Sequence, residues 1–168
     1  NCLFCSVNAF NKLSIGNKWR GRSVDNIVDE LEQLQNMGVR YVKVIDDSFL
    51  EKERDEEWAK ELRDKMQERG ITLSLRGSLK ADQVEDKKIG YLKEAGFHSF
   101  ACGIENGSNT ALKRMNKSAS LEDNKKALDI LRKHGIYVQA GFILFDDNTT
   151  FQELKENYEF LREYDWII

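Results

Sequence analysis

Cys2-Leu3-Phe4-Cys5 sets two soft thiols three residues apart on a short loop. That spacing serves zinc sites, dithiol redox centres and iron–sulfur clusters. A structural zinc site wants four ligands. The remaining candidates, His98, Cys102 and His134, are scattered singly, with no second Cys-x-x-Cys and no His-x-x-x-His. A thioredoxin-like dithiol needs the pair at a strand-to-helix junction in a fold with fewer strand–helix units than this chain carries. Cys102 lies in an apolar run and reads as a small buried hydrophobe. Charged and hydrogen-bonding groups that could work beside the thiols follow other apolar runs: Asp46-Asp47-Ser48, Arg76, Glu105-Asn106-Gly107 and Asp146-Asp147.

These clusters must be positioned by regular elements, and the chain repeats one unit four times: an amphipathic run, a glycine, an apolar run, a polar cluster. In the first copy Ser23 caps a helix through Val24, Ile27, Val28, Leu31 and Leu34, stopped by Gly38. A strand over 39–45 follows. The second copy runs through Trp58, Leu62 and Met66 to Gly70 and a strand over 71–75, with Arg76 just beyond it. The third passes Ile89, Leu92 and Gly96 into a strand over 97–104. The fourth starts at the cap Ser120, reaches Gly135, and continues as a strand over 136–145. A last helix is expected through Phe151, Leu154, Tyr158 and Leu161, with Trp166-Ile167-Ile168 opening another strand. Proline is absent, so glycines and caps carry the boundaries.

Alternating helices and apolar strands imply parallel βαβ crossovers, and no linker divides the chain, so residues 1–168 read as one α/β domain. Doubly wound sheets and barrels share this pattern, and both place function at strand C-termini. Asp46, Asp47, Arg76, Glu105, Asn106 and Asp146 should therefore converge on one face. Each also has a plain structural reading. Asp46 and Asp47 could cap a turn, Glu105-Asn106-Gly107 could be turn chemistry, and Arg76 could pair with one of the acids. Arg20 and Arg22 fit surface charge as well as a ligand, and Arg114 to Lys117 reads as a solvated helix end.

With 26 Lys+Arg against 29 Asp+Glu and a net charge of −3, the chain has no overall attraction for nucleic-acid backbones or anionic membranes. No apolar run approaches the ~20 residues that cross a bilayer. Three cysteines do not make a secreted disulfide framework, and a reducing, cytoplasmic setting is expected. The chain begins at Asn1, with its thiol pair at the extreme edge, and reads as part of something larger.

Asn1-Cys2-Leu3-Phe4-Cys5-Ser6-Val7 resembles the end of the radical S-adenosylmethionine (radical SAM) signature, Cys-x-x-x-Cys-x-aromatic-Cys, with the first cysteine before the present N-terminus. Further segments are similar to the family in order. They are Trp19-Arg20-Gly21-Arg22-Ser23, Val44 to Phe49, Gly103 to Ser108, Lys113-Arg114-Met115-Asn116-Lys117 and Gly141 to Phe145. Within the family the chain looks most like cobalamin-binding-domain radical SAM proteins, with the methylthiotransferase and Elongator-type branches nearly as close. The resemblance implies a partial (β/α)6 TIM-type barrel, present as a truncated fragment without its first strand, first cluster cysteine and last strand region. It implies a 4Fe-4S cluster on three thiolates, Cys2 and Cys5 among them, with S-adenosylmethionine on the fourth iron. It also implies an external electron donor, and cobalamin through a domain outside this chain. The family's oxidoreductase chemistry would cleave S-adenosylmethionine to a 5′-deoxyadenosyl radical that abstracts hydrogen from a substrate the sequence does not name. Carried over by position, Phe4 packs near cluster and adenine, and Asp46-Asp47-Ser48 meets the methionine amino group. Arg76 pairs with its carboxylate and Glu105 accepts from a ribose hydroxyl. No catalytic acid or base is nominated, and the fragment alone is expected to be inactive. The other open reading is a non-catalytic α/β binding or scaffold module with a metal-structural Cys-x-x-Cys.

Overall fold

The computed structural model describes residues 2–7, 10, 13, 15–16, 20–51 and 54–167. Asn1, Trp19 and Ile168, named above, lie outside the described residues. Amphipathic spacing and side-chain caps produce the helices. Ser23 Oγ accepts from Asn26 N–H to start α1 (Val24–Asn36), and Asp55 does the same for α2 (Glu56–Glu68) through Trp58 N–H. α3 (Asp86–Glu94) and the short α4 (Asn109–Arg114) start without a side-chain cap. Reciprocal capping boxes open α5 (Leu121–Lys133, Ser120 with Asp123) and α6 (Phe151–Glu163, Thr150 with Glu153).

Between them run β1 (Tyr41–Lys43), β2 (Ser74–Lys80), β3 (Phe97–Glu105) and β4 (Tyr137–Phe142), all parallel, in the order β1-β2-β3-β4. Each crossover steps the same way across the sheet, with no reversal. A doubly wound sheet needs a switch point, so this singly wound order selects the barrel-type alternative that periodicity left open. One sheet face carries the core: Leu75 and Leu79, Phe100, Cys102 and Ile104, and Val138 pack on Val28, Leu31, Leu62, Met66, Ile89, Leu92, Leu128 and Leu131. The alternate residues, among them Lys43, Arg76, Ser78, Lys80, Ala101, Gly103, Glu105, Gln139 and Gly141, are on the opposite, open face. Gly77, paired with Phe100, has no room for a side chain: a Cβ there would stand 2.9 Å from the Phe100 ring.

Several boundaries differ from expectation. β2 is Ser74–Lys80 rather than 71–75, so Arg76 lies within the strand and not just past it. Ile71 and Leu73 are buried ahead of the strand, and the alternation in Ser-Leu-Arg-Gly-Ser-Leu-Lys is a half-open strand whose polar positions resembled an end. β1 and β4 are shorter than the apolar runs that contain them. Trp166 lies in a turn, and Ile167 N–H closes on Tyr164 O at 3.2 Å, so no strand opens there among the described residues.

Candidate active site at the C-terminal end of the sheet

β3 ends at Glu105 in the left-handed region, φ 66°, a conformation few non-glycine residues adopt. Its carboxylate accepts from Lys117 Nζ at 3.1 Å, and both side chains are largely buried, at 14% and 6% exposure. Gly103, two residues earlier on the same face, makes room for this pair. A Cβ there would stand 2.6 Å from Glu105 Oε1 and 3.0 Å from Lys117 Nζ. Its register partner Gly141 meets nothing closer than 3.8 Å, so bare backbone lies beside the carboxylate on the open face.

The thiol loop is fastened to the same end. Cys5 N–H donates to Cys2 O at 3.2 Å, folding the loop, and Leu3 N–H donates to Met115 O at 3.0 Å. Met115 caps α4 and stands two residues before Lys117. Cys2 and Cys5 are both half-buried, both unbridged, and Phe4 between them is exposed. This arrangement fits a thiolate-bound cluster: two partly accessible thiols on one folded loop, held where strands end. Cys102 does not fit as a third ligand. It is buried on the core face of β3, and burial pushes its thiol up to about 12. Among the described residues no group of three or more His, Cys, Asp or Glu side chains converges as a metal site.

After β1, Asp46 accepts from Arg54 Nη1 at 2.9 Å and Asp47 is exposed, while buried Ser48 donates from Oγ to Gln83 Oε1 at 2.7 Å. Arg54, not singled out from sequence, organises this turn. It is 7% exposed, donates also to Phe49 O at 2.7 Å, and stacks its guanidinium over Phe49 and Trp58 at 4.6 and 4.9 Å. Its signal was faint: a lone arginine five residues past an Asp-Asp-Ser-Phe run and four before a tryptophan. Arg76 lies on the open face, level with Lys43 and Ser99, and donates from Nη2 to Gln139 Oε1 across β3. Arg22 is occupied by Asn26 and Glu30 at the surface.

The Arg114–Lys117 segment is not a solvated helix end. Arg114 donates to both Asp146 oxygens at 3.1 Å and to Glu153 at 2.7 and 3.1 Å. It thereby holds both carboxyls below their ordinary values, with its own hydrogen bonds as the leading cause. Charge runs read as solvent-facing in one dimension, and only the fold brings Asp146 and Glu153 to them.

Residues 1–161 match the family described as the Radical SAM superfamily. The chain belongs to that superfamily. An uncharacterized methyltransferase of Pyrococcus horikoshii is 28% identical over 98% of this chain and 35% of its own length. An anaerobic magnesium-protoporphyrin IX monomethyl ester cyclase of Rubrivivax gelatinosus is 27% identical over 97% of this chain and 28% of its own. This radical SAM chain thus spans about a third or less of the length of these relatives. The cobalamin-dependent S-adenosylmethionine radical enzyme OxsB shares the fold at TM-score 0.81, with 24% identity, over 89% of this chain and 24% of that one. The partial-barrel expectation is met by four parallel strands in barrel order and by this likeness. No helix among the described residues is long and apolar enough to cross a membrane.

Proposed function

We propose that this chain is the S-adenosylmethionine-cleaving part of a larger radical enzyme. One observation carries the reading: Met115 and Lys117, two residues apart, tie the Cys2–Cys5 loop and the Glu105 carboxylate to one end of the sheet. Family membership favours a cluster over a metal-structural role for the thiols. Cys2 and Cys5 would hold a 4Fe-4S cluster with a third thiolate from outside this stretch. When bound, such a cluster would supply the reducing electron for the cleavage of S-adenosylmethionine.

The chain's own residues bind and orient. Glu105 accepts from ribose hydroxyls, fixed in direction by Lys117. Arg76, steadied by Gln139, offers parallel donors to the methionine carboxylate. The Asp46-Asp47-Ser48 turn, braced by Arg54, faces the amino group, and Phe4 covers the adenine side of the thiol loop. The open sheet face, closed by the rest of a barrel, shields reactive species from water. An external reductant and a cobalamin domain beyond this stretch complete the proposal, which also places the protein in the cytoplasm. β1 and β4 each have one strand partner among the described residues, which supports a sheet continued on both sides.

Anaerobic reconstitution of the protein with iron and sulfide should give a brown chromophore. Under reduction it should then yield 5′-deoxyadenosine from S-adenosylmethionine. Cys2→Ala and Cys5→Ala should each remove both signals. A wild type with neither chromophore nor product ends the reading.

A further inference from the structure

Three asparagines that the site above does not use surround Glu105. Asn106 is 1% exposed, Asn157 on α6 is 2% and Asn124 on α5 is fully buried. Asn157 Oδ1 accepts from Gly107 N–H at 2.7 Å while its Nδ2 donates to Leu144 O at 3.1 Å. One amide thus fastens the turn after β3 to the segment after β4. Asn106 repeats the link from the other side: Oδ1 accepts from Ser108 N–H at 2.9 Å and Nδ2 donates to Ile143 O at 2.8 Å. Asn124 Nδ2 donates to Ile104 O at 2.9 Å. Glu105 O itself accepts from Ile143 N–H at 2.6 Å. α6 comes so close that a Cβ on Gly107 would stand 2.7 Å from Phe160 Cβ.

A positive-φ glutamate persists only where its surroundings over-determine it, because the left-handed region costs a side-chain-bearing residue on the order of 1–3 kcal/mol. Gly107 N–H, Ser108 N–H, Ile104 O, Ile143 O and Leu144 O are each bonded to a buried asparagine side chain, which holds the turn in one arrangement. We infer that Asn157, seconded by Asn106, is a positioning residue for S-adenosylmethionine binding: it acts through Glu105, by locking the left-handed turn that aims the carboxylate along the open face. The inference rests on the role proposed for Glu105.

The test is a double-mutant cycle on the reconstituted protein, reading the dissociation constant of S-adenosylmethionine without reductant, so that no turnover is involved. Glu105→Gln should weaken binding about tenfold. Asn157→Ala should do nearly the same alone and add little in the Glu105→Gln background. Amide exchange at Gly107 and Ile143 should accelerate in Asn157→Ala. Gly38→Ala, at a positive φ before β1 and so at the opposite end of the sheet, should lower the melting temperature with no change in affinity. Where Asn157→Ala does not fold, Asn157→Ser is read in the same cycle. Unchanged affinity in the Asn157 variant beside a weakened Glu105→Gln overturns the inference and leaves the Glu105 role standing, as does a loss that is fully additive. Unchanged affinity in Glu105→Gln overturns both.

Discussion

Cys102 and the Cys2/Cys5 pair present the same atom in opposite settings. Cys102 sits 1% exposed between the sheet and its helices, where burial raises the thiol to about 12. The pair is half-buried on an outer loop. Alkylation of the cluster-free protein at pH 8 should therefore label Cys2 and Cys5 within minutes and leave Cys102 unmodified until the protein unfolds, as peptide mass spectrometry would show. Equal labelling of all three would mean that the β3 core face is open. The sequence already set buried Cys102 apart from the pair on the loop, because an apolar run and a short loop are local properties. It could not do so for Arg54 or Lys117, whose partners depend on tertiary approach.

The first five helices are each followed by a left-handed residue, and Gly96 shows why the residue type matters. It leaves α3 at φ 99°, and a Cβ would lie 2.4 Å from Leu73 O. That contact is backbone and cannot swing aside. Gly96→Ala should cost about 2 kcal/mol or more, measured by urea unfolding, whereas Gly38→Ala, with positive φ and nothing within 4 Å, should cost less. A similar cost at both positions would show that conformation alone, and not the close approach, sets the penalty. The glycine stops after four helices were visible in sequence. The extent of β2 was not, because a strand with one open face alternates polar and apolar residues, and its arginine imitates an end.

At the scale of the whole molecule, Arg114 joins α4 to the segment after β4 and to the first turn of α6. Asp146 and Glu153 are held below their ordinary values, so their ionised forms stabilise the fold. That stabilisation is fully present above about pH 5, past the ordinary values of both carboxyls, and disappears as pH falls through the lowered values. Arg114→Met lets both carboxyls return toward their ordinary values and so removes this pH linkage: in thermal melts from pH 7 to 3 the variant should start less stable at pH 7 and lose less further stability on acidification than wild type. Coincident profiles would remove the network from the stability of this end. The repeating helix–glycine–strand units, the parallel sheet and the thiol loop followed from sequence alone, since each rests on period, capping and turn chemistry within a few residues. The singly wound order, the Arg114 network, the Glu105–Lys117 pair and the asparagine clamp were decided only by the tertiary structure. Each depends on which distant segments the closing sheet brings within hydrogen-bond reach, and no local pattern encodes that distance.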